Sequence, residues 1–229
     1  MKYIKSTYLA FFITAFISLL VALFFEKINL LFVYPLTFVS IFVLYMTEKK
    51  GPISILYVLV LIFGLSSGVY LIIGFGQYVP EVSILVSIFY LIYLRLMYLK
   101  NEKMNTTIKM YLKLLIIFLP ILYIYYRVIC LIYPEIKEDY VYFAIMVLLM
   151  LIYLMAALYY YIRNKNQSNL WMLIVAANLG IMNIIITINE LYMYETIFTV
   201  IAIFCNHFVL YFSFKFMLED EKNTLTDIV

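Results

Sequence analysis

The polar positions of this chain are gathered into short breaks: EK at 26–27, TEKKGP at 47–52, GQYVPE at 76–81, KNEKMNTTIK at 100–109, PEIKED at 134–139 and RNKNQS at 163–168. The apolar runs between them are about 18 to 24 residues long, the length a helix needs to cross roughly 30 Å of hydrocarbon at a rise of 1.5 Å per residue. Eight spans are predicted, at 7–25, 28–46, 53–75, 82–99, 110–133, 140–162, 169–189 and 196–218. The runs are too long and continuous for barrel strands, so the pattern predicts an all-α, polytopic transmembrane bundle, a single integral membrane domain over residues 1–229.

Composition agrees with the pattern. The chain is 67% hydrophobic and 13% charged, with a mean hydropathy of +1.06, whereas a soluble domain is nearer half apolar and a quarter charged. Charge placement adds orientation, because cytoplasmic loops carry an excess of Lys and Arg. With the amino terminus inside, only Lys27, Arg127 and Lys137 of the 16 basic residues fall outside. Eight spans with both termini cytoplasmic satisfy the rule, and removing one span would scramble the alternation after it. The net charge of +3 is therefore a topology signal. With no basic patch beyond the membrane-flanking loops, nucleic acid is not an expected partner. Lys2 and Lys5 precede an apolar run as in a signal peptide, but that run is as long as a span and has no small-residue cleavage site before Glu26, so it reads as a retained first helix. Cys130 and Cys205 fall inside spans, where a thiol acts as a small hydrophobe; no disulfide, metal site or cofactor is suggested. The 24 tyrosines gather near span ends, as an interfacial belt requires. Few Cys and His, abundant Ile, Lys, Asn and Tyr, and compact loops suggest a bacterial inner membrane.

Candidate chemistry lies where polar groups occur at membrane depth, since these are costly and are functional candidates by default. No Asp or Glu lies deep in a span, which weighs against a proton-coupled transporter; Arg95, Lys113 and Arg127 are close enough to span ends to snorkel. At depth remain Asn178, Asn183, Thr187, Asn206 and His207, with Ser66, Ser67 and Gly68 in the third span. Asn183, Thr187 and Glu190 are spaced by four and three, and so share a helix face. His207, the single histidine, has a plain reading as a neutral imidazole bonded to a neighbouring helix, with Asn183 or Asn178 as partner. The small-residue run GLSSG at 64–68 has an equally plain reading as a site of close helix packing. Pro120 reads as a kink in the fifth span.

Four short stretches occur in a telling order: YPLT at 34–37 opening the second span, GV at 68–69 in the third, YLIY at 90–93 in the fourth and MNIIITIN at 182–189 in the seventh. Together they resemble the YhhN family, eight-span lysoplasmalogenases, over nearly the whole chain. In that family the stretches are a Lys-Pro-Leu-Thr-like opening, a Gly-Asp pair, a His-x-x-Tyr and a Ser-Asp pair with a trailing Asn. Here Pro35, Leu36, Thr37, Gly68, Tyr93 and Asn189 match, while Tyr34 stands at the lysine, Val69 at the first carboxylate, Tyr90 at the histidine and Asn183 at the second carboxylate. Counted along their spans, Val69, Tyr90 and Asn183 fall at one level, roughly 10 Å below the outer surface. Spans one to four and five to eight also read as a parallel repeat with Val69 and Asn183 as counterparts.

The resemblance implies a vinyl-ether hydrolase that splits a lysoplasmalogen into a fatty aldehyde and a glycerophospho-alcohol, with membrane lipid, specifically a lysophospholipid, as its partner. The implied pocket comprises Tyr34, Gly68, Val69, Tyr90, Tyr93 and Asn183, with Asn206 and His207 nearby. Such chemistry needs an acid for the enol-ether carbon and a base for water, roles that two carboxylates in a low-dielectric pocket fill. Val69 carries no proton and Asn183 does not titrate usefully. Two readings follow: a hydrolase rewired through His207 or Glu190, or a non-catalytic protein that holds a single-chain lipid in the inherited pocket. A small-solute transporter or membrane sensor is a weaker third, because helix interruptions at the midplane are scarce.

Overall fold

The computed structural model describes residues 2–101 and 108–226. Lys103, one of the basic residues assigned above to the cytoplasmic side, lies outside the described residues. Eight α-helices are present among these residues: α1 (Lys2–Phe24), α2 (Leu30–Glu48), α3 (Ile55–Gly74), α4 (Val79–Lys100), α5 (Ile108–Ile132), α6 (Tyr140–Arg163), α7 (Gln167–Leu191) and α8 (Thr196–Thr226). Each is long and apolar enough to cross a bilayer, and the protein is an integral membrane protein. The predicted spans match these helices to within about three residues, except that α1 begins and α8 ends further out.

Local chemistry sets the helix boundaries. The Ser54 hydroxyl accepts the Tyr57 N–H at 3.4 Å to start α3, and the Asn166 side-chain oxygen accepts the Asn169 N–H at 2.7 Å to start α7. Pro80 lies in the first turn of α4, where its missing N–H leaves no bond unmade. Gly74 ends α3 with φ +155°, a conformation closed to residues with a Cβ, and a 3-10 turn over Phe75–Gln77 leads into α4. A second 3-10 turn, Lys27–Asn29, fills the break between α1 and α2 and brings the Lys27 side chain to that end of the bundle. Pro35 and Pro120 both lie inside continuous helices.

The helices close a ring. Each member of the series α1, α2, α3, α4, α6, α7, α8 packs on the next, and α8 returns to α1. Helix α5 stays outside the ring against α6 and α7, whereas α1 is part of it. Consequently α5 exposes apolar side chains along much of its length, from Leu112 to Leu131, as a helix facing lipid does. The α7–α8 hairpin is the most closely packed pair. Its corner is tied by Asn189, whose Nδ2 donates to the Thr199 hydroxyl at 3.1 Å and whose Oδ1 accepts the Glu195 N–H at 2.7 Å.

Candidate functional site

A narrow cavity of about 90 Å³ runs inside the ring between α2, α3, α4, α7 and α8. Its α7 wall is Leu179, Met182, Asn183, Ile186 and Glu190, one face of the helix by the three-and-four spacing. On α3 it reaches from Val60 to Ile72, a length of roughly 18 Å at the helical rise. The lining is mostly aliphatic and aromatic, with polar groups confined to two levels.

The first level is the mouth. Lys27 Nζ and Glu190 Oε1 form an ion pair at 2.6 Å, with side chains only 17% and 12% exposed, and both line the cavity. The second level is deeper. Asn183 Nδ2 donates to the Tyr90 hydroxyl, and Asn206 faces the same cavity from α8. Asn183 is seven residues from Glu190 on α7, and Asn206 is seven from Thr199 on the antiparallel α8. Both amides therefore lie roughly 10 Å beneath the mouth.

The α4 side of the deeper level is held from three directions. Tyr90 and Tyr93 both stack on Tyr153 of α6, with ring centroids 5.7 and 5.5 Å away and planes within 29°. Tyr93 also donates its hydroxyl to Ser213 of α8 at 2.7 Å, while Tyr90 meets Asn183 of α7. These phenols are thus fixed in orientation, with little freedom to follow a ligand. Opposite them, Gly68 lets the Tyr34 ring lie directly against the α3 backbone: a Cβ at Gly68 would coincide with the Tyr34 ring and hydroxyl. Gly64 does the same for Phe38 and Phe89, whose ring atoms lie 3.3 Å from its Cβ position. The small-residue run therefore seats aromatic rings from α2 and α4, which form the cavity wall.

Of the residues singled out in the sequence, Tyr34, Gly68, Tyr90, Tyr93, Asn183, Glu190 and Asn206 line this cavity. Val69 is half-buried and lies off the lining, as does Thr187, which is buried. His207 occupies the opposite face of α8, where its Nε2 meets Ser18 Oγ of α1 at 2.8 Å and its ring lines a separate aromatic groove with Phe11, Phe208 and Tyr211. The expected partners Asn183 and Asn178 are thus replaced by Ser18, because adjacent α8 positions 206 and 207 point about 100° apart. Nor does Asn178 bridge helices: its Nδ2 donates to the Ile174 carbonyl of its own helix at 2.8 Å. Thr14 and Ser40 complete the α1 seam at 3.0 Å.

Lys27 is the functional candidate that pattern reading missed. It was counted as a loop charge, yet a signal existed: it is one of only three basic residues on the predicted outer side, and it follows Glu26 in a two-residue break too short to carry it away from the bundle. The chemistry available is recognition by a buried ion pair and two amides. Glu190 is the one acid on the lining, and Lys27 holds it. No acid or base accompanies Asn183 at depth within the lining. No family model, curated protein or solved structure matches the chain.

Proposed function

We propose that this protein binds a single-chain amphiphile, of the lysophospholipid class, in the cavity inside its helix ring, and that it does so without hydrolysing it. The carrying observation is the cavity itself: apolar, narrow, roughly 18 Å long and ending at the Lys27–Glu190 ion pair. An extended acyl chain can follow the line of such a cavity, whose aliphatic walls must part to admit it, and a charged or zwitterionic head then meets the Lys27–Glu190 pair at the mouth. The resemblance to the YhhN lysoplasmalogenases supports the lipid class. The absence of both family carboxylates at Val69 and Asn183 supports loss of the chemistry. With both termini cytoplasmic, the mouth opens toward the outer leaflet of a bacterial inner membrane.

Aldehyde release from a lysoplasmalogen by the purified protein, in detergent, tests the catalytic half of this reading. The expected result is no release above a lipid-only blank from the wild type, and none from Val69→Asp combined with Asn183→Asp, because Val69 lies off the cavity lining. Wild-type turnover that disappears in Glu190→Gln would establish a rewired hydrolase and contradict the proposal.

A further inference from the structure

Asn206 carries an amide that the protein leaves unused. Its side chain is 93% buried, since only 7% of the residue is exposed, and it lines the cavity roughly 10 Å below the ion pair. No acceptor among the described residues meets its Nδ2. The neighbouring wall is apolar: Ala202, Ile203, Val209 and Leu210 on its own helix, Leu179 and Met182 on α7. The other amide at this level, Asn183, is already engaged with Tyr90.

A buried amide donor without an acceptor bears its full desolvation cost, and that cost is not relieved by lipid tails. A plain alkyl chain lying along this wall would leave the donor stranded. A chain bearing a carbonyl, hydroxyl or ether oxygen at the same depth would satisfy it. Resting on the reading that the cavity holds a single-chain amphiphile, we infer that its ligand is an oxygenated chain, with a hydrogen-bond acceptor within the apolar tail, presented to Asn206 Nδ2. The donor then acts as a ruler: the ion pair fixes the head, and Asn206 selects the position of the tail oxygen.

The test is a set of lysophosphatidylcholines of one chain length, either saturated or carrying a single keto group walked along the tail, with binding to the full-length protein in nanodiscs measured by calorimetry. One interior keto position binds about three- to tenfold tighter than the saturated parent, the worth of one added hydrogen bond. In Asn206→Leu that optimum disappears, so that the interior-keto lipid binds no tighter than the saturated parent. A wild-type profile without an interior optimum overturns the inference and needs no variant to fold; an optimum that persists in Asn206→Leu overturns it as well. If the saturated parent binds and the profile is flat, only this inference fails. If no member of the set binds, the single-chain-amphiphile reading fails with it.

Discussion

At the residue scale the cavity depends on what is missing from two glycines. The Tyr34 ring occupies the space where a Gly68 side chain would begin, so the pair is a steric lock between α2 and α3. Gly68→Ala forces the ring or the helix to move, at a cost of about 1–3 kcal/mol typical of overpacking. Combining it with Tyr34→Leu relieves the overlap, and thermal unfolding in detergent should show the double variant more stable than Gly68→Ala alone. A double variant no better than the single would mean the two residues do not meet as described. Three of the four asparagines of α7 divide the labour by the same logic of finding partners. Asn189 ties the α7–α8 corner beside the cavity mouth, Asn178 satisfies its own helix, and Asn183 reaches across the deeper level to Tyr90 of α4. Sequence spacing separates none of these roles, because each depends on which helix lies opposite.

At the element scale the mouth joins two parts distant in the chain, the 3-10 turn before α2 and the end of α7. Removing one partner of a mostly buried ion pair leaves the other charge uncompensated, whereas removing both leaves two neutral groups. Lys27→Met and Glu190→Gln together should therefore destabilise the protein by less than the sum of their separate effects. The expected coupling is roughly 0.5–3 kcal/mol in a double-variant cycle read by thermal unfolding. Strict additivity would show that the two charges act independently. A different polar contact, Ser18 to His207, holds α1 to α8. With that role filled, His207 belongs to the packing of the ring and is set apart from the cavity by α8 itself.

For the molecule as a whole, the eight helices were legible in the sequence because each apolar run is bracketed by charges or turn residues, and bilayer thickness fixes its length. The ring was not legible. The length and hydropathy of α5 do not distinguish it from its neighbours, and its place outside the ring follows from packing partners contributed by α6 and α7. Several polar positions of the lining could be picked out for the opposite reason, as polar residues at membrane depth are few enough to count, whereas its aliphatic wall could not. Spacing alone does not show that α8 and α3 turn His207 and Val69 away from the lining, or that the loop charge Lys27 folds inward. The most direct test of the whole account is equilibrium binding of a saturated lysophosphatidylcholine to the wild type and to Ile203→Trp, in which an indole replaces an aliphatic group of the cavity wall. The account predicts saturable binding at one site per chain, strengthening with tail length until the tail fills a cavity roughly 18 Å long, and weakened at least tenfold in the blocked variant. Binding that is absent in the wild type, or that is indifferent to both tail length and the indole, would contradict it.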